Sequence, residues 1–272
     1  MLGSLSFWKL PGCDEDWARI TVDCFSRKLR ASVKVQEFDN GPNFAEHRIQ
    51  VESAQDLLPR IEATRSLYLK SAGLRDQVGD CDVDTAEARA NVARWLQGKL
   101  QSQFGFPVEV TTDSASHHGK ILARYAGTDE PSRNWQRNYT TFHIDHKQNT
   151  AGLEDGVQVN VWLNLADEPI SDFALGFLEL GGSMVAGKDL PSMTQKEVEN
   201  LTVRYRAGLT KDQALIFQST GAYSVVHGSF RFEDARKLTS LPRYSLEFRL
   251  LLRKLQPGPG LCDSIPSTTR AR

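Results

Sequence analysis

The sequence predicts a mainly β protein with flanking helices, an α+β chain organised around a jelly-roll barrel. Three observations carry this. From about residue 107 to 253 the chain breaks into short β-prone runs separated by loops, the texture of a sandwich or barrel. One long amphipathic helix precedes that region and one short helix interrupts it. The length, 272 residues, suits an all-β barrel folding as one domain.

The elements follow in order. Residues 1 to about 106 read as a support region of mixed helix and strand. There Ala31 to Phe38 alternates Val33 and Val35 with Lys34 and Gln36, a strand pattern. Asp84 to Phe104 is the clearest helix. Asp84 caps it, Glu87 follows three residues on, and Ala88, Val92, Trp95, Leu96, Leu100 and Phe104 form an apolar stripe suited to packing on a sheet. Residues 107–254 are the expected jelly-roll core, giving one domain over 1–254. Its strands are expected at Phe106–Thr111, Lys120–Tyr125, Thr140–Asp145, Val157–Leu165, Ala214–Phe217, Tyr223–Ser229 and Arg243–Arg253. Thr194-Gln-Lys-Glu197 is a capping box opening a helix that runs to Leu201. The tail, 255–272, lacks periodicity and is expected to be disordered.

Composition excludes several roles. Lys plus Arg (33) nearly cancel Asp plus Glu (34), so no basic surface for nucleic acid is expected. No run approaches the roughly 18 apolar residues of a membrane span. Met1 to Pro11 does not read as a secretory signal. Cys13, Cys24, Cys81 and Cys262 form no C-x-x-C pair, which fits thiols in a reducing cytoplasm.

The chemistry starts at Thr140-Thr-Phe-His143-Ile-Asp145-His146. Residues two apart on a strand share a face, so His143 and Asp145 aim at one point. An imidazole and a carboxylate are two ligands of a facial triad that binds Fe(II) and leaves positions open. His227 lies in an otherwise apolar run, Tyr223 to Ser229, and is the candidate third ligand. Farther on stands Pro242-Arg243-Tyr-Ser245-Leu-Glu-Phe-Arg249. An arginine on an apolar strand requires an anionic partner, and a dicarboxylate cosubstrate matches the guanidinium fork.

In these residues the sequence resembles the Fe(II)/2-oxoglutarate-dependent dioxygenase superfamily, whose motif runs H-x-D, a distant His, then Arg-x-Ser. Asn160-Val-Trp162-Leu-Asn-Leu165, Pro169-Ile-Ser-Asp-Phe-Ala-Leu175, His227-Gly-Ser-Phe230 and Pro242 to Arg249 are similar to a subgroup. That subgroup includes gibberellin-desaturase-like enzymes and the cephem hydroxylation and methoxylation component. The resemblance spans about 139 to 253 and departs at Asn164 and Ala174, where proline is usual.

The resemblance implies a double-stranded β-helix (a cupin-like barrel) with Fe(II) on His143, Asp145 and His227, and O2 as oxidant. The 2-oxoglutarate would lie on Arg243 and Ser245. It implies hydroxylation or desaturation of a small organic molecule in secondary metabolism, with release of succinate and CO2. A retained carboxylate at Asp145 argues against halogenation. Tyr125, Gln158, Asn160 and Trp162 are candidate substrate-pocket residues, the last three sharing one strand face. The substrate's identity and the oligomeric state are not legible. A cupin-like metalloprotein independent of 2-oxoglutarate is the competing reading.

Arg243 and Arg249 lie roughly 20 Å apart along one strand, so one must be chosen for the cosubstrate. If the last two strands form a hairpin, Arg243 lies opposite His227, and Arg249 falls near Gly221, away from the metal. Gly182 to Asp189 nearly spells a phosphate-binding loop, but Asp189 stands where Ser or Thr must bind magnesium.

Overall fold

The computed structural model describes residues 16–38, 43–73, 85–112, 121–126, 135–137, 140–145, 152–170, 172–234 and 242–255. The expected tail, apart from Leu255, lies outside them, as do Asp84 and Met1 to Pro11. In chain order the elements are β1 (Asp16–Asp23), β2 (Lys28–Glu37), α1 (Phe44–His47), β3 (Ile49–Ser53), α2 (Leu58–Gly73) and α3 (Thr85–Gln101). Next come β4 (Val108–Thr111), β5 (Leu122–Ala126), β6 (Trp135–Arg137), β7 (Thr141–Phe142), β8 (Val157–Asn164), β9 (Leu175–Leu180) and β10 (Ser183–Met184). The chain ends with α4 (Gln195–Glu199), β11 (Thr202–Tyr205), β12 (Gln213–Gln218), β13 (His227–Ser229) and β14 (Arg243–Lys254).

Two seven-stranded sheets make the barrel. The first runs β10-β9-β11-β2-β1-β7, with β13 also paired to β9. A bridge between His143 and His227 joins β7 to β13, so this sheet curls until its path closes. The second runs β3-β12-β8-β14-β5-β6, with β4 on β14. Strands of one sheet thus come from distant parts of the chain, as a jelly roll requires.

β8 explains how the interior is furnished. All eight of its residues are buried, so neither face is solvated. Val157, Val159, Val161 and Leu163 point outward and pack with Val92, Leu96 and Leu100 of α3. The alternate set, Gln158, Asn160, Trp162 and Asn164, therefore points into the barrel. On β14 the residues opposite continue that inner face: Arg249 faces Asn160, Glu247 faces Trp162, and Ser245 faces Asn164. Ser245 in turn faces Arg124 on β5. The barrel interior here is charged and polar, while the helix-covered face is apolar.

The capping box at α4 forms, with Glu197 accepting from the Thr194 amide at 2.7 Å. Asn164, where the resembled subgroup has proline, donates to the carbonyls of Glu168 and Leu209 and accepts from the Ala166 amide. It holds the turn by side-chain bonding that proline would supply by ring rigidity.

Candidate metal centre

Two short strands bring the histidines together. His143 and His227 exchange both backbone hydrogen bonds at 2.9 Å, the hydrogen-bonded pair of an antiparallel ladder. Gly228 permits this approach: a Cβ there would stand 2.9 Å from the Phe142 Cα, nearer than side chains pack. The rings lie 4.7 Å apart between centroids. The Asp145 amide donates to the Ser219 carbonyl at 3.1 Å, turning its carboxylate toward the pair.

One ligand atom from each of His143, Asp145 and His227 lies within 4.8 Å of the others. Asp145 Oδ1 stands 3.8 Å from Nε2 of His143 and 3.9 Å from Nε2 of His227. Each ring presents its other nitrogen to a carbonyl two residues back: Nδ1 of His143 to Thr141 at 2.8 Å, Nδ1 of His227 to Val225 at 3.1 Å. Those bonds place the proton on Nδ1 and leave the Nε2 lone pairs facing the carboxylate. Burial, aided by the neighbouring His227, holds His143 down to a pKa of about 4. It therefore stays neutral, as a ligand must.

The carboxylate is held from the inner faces of β8 and β14. Asp145 Oδ2 accepts from Gln158 at 2.9 Å and Asn160 at 3.0 Å, and Oδ1 accepts from Arg249 Nη2 at 3.0 Å. Arg249 Nε also donates to Glu247 at 2.7 Å, and Asn160 reaches Glu247 at 3.1 Å. Arg124 Nε completes the row 3.4 Å from the other Glu247 oxygen. Burial alone would raise Asp145, yet the Arg249 guanidinium and the hydrogen bond from Asn160 hold it well below the usual carboxylate range. Glu247 is likewise held down against burial by Arg249 and Arg124.

The space bounded by Arg124, His143, Asp145, Trp162, Leu175 and His227 measures about 20 Å³, room for one ion-sized sphere. Two imidazoles and one carboxylate with converging lone pairs match the donor set of a divalent transition metal.

Farther along β14 lie Arg243 and Ser245. Arg243 is buried, and its guanidinium stands 5.1 Å over the Trp162 ring that borders the metal chamber. Burial, aided by the positive charge of Arg124, lowers its pKa to about 9 against the pull of Glu247 and Asp172. The buried Ser245 Oγ has no hydrogen-bond partner among the described residues. A strained loop fixes the arginine. Phe173 has φ +52°, and its carbonyl accepts from Arg243 at 2.9 Å and Ser229 at 2.8 Å. Asp172 accepts from the Phe173 amide at 2.8 Å and takes both Nε and Nη2 of Arg231.

Four placements differ from the sequence reading. β14 lies between β8 and β5 in the second sheet, whereas β13 pairs with β9 in the first, so the expected hairpin does not form. Arg243 consequently does not pair opposite His227. Arg249, expected far from the metal, bonds the candidate ligand Asp145 directly. Tyr125 points to the helix side, opposite Tyr244 and within the apolar cluster there, because its neighbour Arg124 takes the inner face. Gln158 and Asn160 do line the interior, but they are committed to Asp145; Trp162 borders the chamber as a wall. Sequence reasoning missed Arg124 and Glu247. Their only signal was charge within a β-prone run.

No family model and no curated protein matches this chain. Among solved structures it is similar to the iron and alpha-ketoglutarate-dependent endoperoxidase NvfI. Identity is 15%, coverage is 89% of this chain and 98% of that one, and the TM-score is 0.51. A variant of the same protein gives TM-score 0.54 over 94% and 100%, also at 15% identity. A second conformation gives 0.53 at 14% identity. At this identity the likeness establishes the shared jelly-roll fold.

Proposed function

We propose that this chain is an Fe(II)- and 2-oxoglutarate-dependent oxygenase that hydroxylates or desaturates a small organic molecule in secondary metabolism, with residues 1–254 as one catalytic unit. The observation that carries this is the convergence of His143, Asp145 and His227 at the base of a polar chamber inside a jelly roll. The similarity to NvfI, itself iron and alpha-ketoglutarate dependent, supports it.

In this reading the two imidazoles and the Asp145 carboxylate hold iron. Bound iron and 2-oxoglutarate together supply O2 activation and the oxidising power to remove hydrogen from a C–H bond, leaving succinate and CO2. The chain's own groups do the rest. The Nδ1 bonds keep both imidazoles in the ligating tautomer, while Gln158, Asn160 and Arg249 orient the carboxylate and keep it ionised. Arg243 and Ser245 would bind the far carboxylate of the cosubstrate through a charged hydrogen bond and the orphaned hydroxyl. Charge supports this assignment. Arg124, Arg243 and Arg249 exceed Asp145 and Glu247 by one positive charge, and a divalent metal raises the excess further. A dianion lowers it again. The chamber as it stands admits an ion, and Arg124 and Trp162 are among its walls.

Anaerobic titration with Fe(II), with and without 2-oxoglutarate, tests the reading. The iron–cosubstrate chelate gives a weak visible charge-transfer band. Iron binding with no such band at saturating 2-oxoglutarate would favour the cupin-like alternative.

A further inference from the structure

A second cavity, of about 770 Å³, lies beyond a row of aromatic rings from the metal ligands. The row runs from His227 to Phe217 (4.7 Å between centroids), to Phe177 (5.5 Å), to Phe38 (6.1 Å). Of these rings only Phe38 borders the cavity, and none of the three metal ligands does. Arg48, Met184, Val185, Arg204 and Tyr223 supply much of the remaining wall.

Arg48 is the feature that asks for a ligand. It ends α1 in the left-handed region at φ +61°. Its main chain is clamped on both sides: its amide donates to the Phe44 carbonyl, and its carbonyl accepts from Gln218 of β12, both at 2.9 Å. The side chain therefore leaves a rigid base. Its Nη1 is shielded from solvent and has no hydrogen-bond partner, and the side chain forms no ion pair among the described residues. The cavity's carboxylates do not serve it. Glu179 stands 3.7 Å from Arg204, and Glu46 lies beside His47 at 3.8 Å. Burial lowers the Arg48 pKa below the usual arginine value. A half-buried guanidinium with no anion among the described residues is disfavoured, and an anionic ligand offsets that. Phe38, Met184 and Val185 supply apolar lining, with the Arg204 guanidinium 5.6 Å over the Phe38 ring. At the rim stands Tyr223, 58% exposed, with the Lys188 ammonium 4.9 Å over its ring.

We propose that this cavity binds a small organic acid with an apolar or aromatic body, its carboxylate on Arg48 and its body against Phe38, Met184 and Val185. The site is separate from the cosubstrate's and does not depend on the metal.

The test uses the full chain with metal removed by EDTA and naphthalene-2-carboxylate as the probe, followed by calorimetry. The neutral naphthalene-2-carboxamide serves as its control. The acid should bind the unmodified protein, and Arg48→Asn, which tolerates the left-handed backbone, should weaken it by at least about tenfold. The amide should bind the two proteins alike. Met184→Trp should weaken both compounds by narrowing the cavity beside Phe38 and Val185, and unchanged binding of both would place them elsewhere, which keeps the test open if Arg48→Asn fails to fold. Arg243→Gln should leave acid binding unchanged. Equal acid affinity in the unmodified and Arg48→Asn proteins overturns the proposal, as does no acid binding at millimolar probe. Loss of acid binding in Arg243→Gln overturns it too, because the carboxylate would then sit in the metal chamber. A failed charge-transfer experiment leaves this result untouched, so the two proposals fail separately.

Discussion

Replacing Arg249 by glutamine separates a structural role from a cosubstrate role. Arg249 links two carboxylates, Asp145 at 3.0 Å and Glu247 at 2.7 Å, and the three side chains are only 4%, 4% and 8% exposed. Taking the cation from a buried ion pair costs about 3–5 kcal/mol, since the remaining charge is stranded. Here both carboxylates keep other donors: Gln158 and Asn160 for Asp145, Asn160 and Arg124 for Glu247. The expected loss is therefore at the lower end, about 3 kcal/mol. For a domain of this size, at roughly 2–4 °C per kcal/mol, Tm should fall by roughly 6–12 °C in EDTA. A bound divalent ion returns positive charge beside Asp145. Added Mn2+ should consequently stabilise Arg249→Gln more than it stabilises the unmodified protein, through the linkage of binding to folding. Calorimetric melting of both proteins in EDTA and in Mn2+ measures all four values. A loss below about 1 kcal/mol in EDTA would mean the pair behaves like an exposed one. Greater Mn2+ stabilisation of the unmodified protein would refute the charge argument.

Three further outcomes follow from the same geometry. Arg243→Gln should raise the KM for 2-oxoglutarate by the equivalent of about 2–5 kcal/mol, with a far smaller effect on Tm than Arg249→Gln; steady-state succinate assays over a cosubstrate series decide it, and the reverse pattern would assign the cosubstrate to Arg249. His143→Ala and His227→Ala should each abolish succinate formation and Fe(II) binding while circular dichroism keeps the β signature, and near-normal turnover in either variant removes that residue from the ligand set. The third concerns pH. His143 titrates at about 4 when folded and near 6.5 when unfolded, so the unfolded chain holds the extra proton between those values. Stability of the metal-free protein from this residue is complete above pH 6.5 and lost as pH falls toward 4, by about 3 kcal/mol. Urea unfolding across that range should show this slope, and His143→Gln should remove its share; an unchanged slope in the variant would count against the assigned pKa.

The sequence by itself determined the fold class and the placing of His143 and Asp145 on one strand face, because both rest on local periodicity; His227 was the candidate third ligand as an isolated imidazole in an apolar run and through the family resemblance. The alternation of β8 residues and the two-residue step from His143 to Asp145 follow from strand geometry, whatever the strand pairs with. The α3 stripe and the Thr194 capping box are likewise local, and both elements form. β1, β9 and β11 carried weaker patterns and emerge only as partners within the first sheet. Tertiary structure alone decided which distant strands became neighbours. Arg249 and Arg243 look alike along β14, and what distinguishes them is register: Arg249 falls opposite Asn160 beside Asp145, while Arg243 falls opposite Ala126 near Trp162. Strand order and register depend on the summed burial of whole sheets, not on any one segment. The partners of Arg124, Glu247 and Arg48 therefore become visible only when the barrel closes.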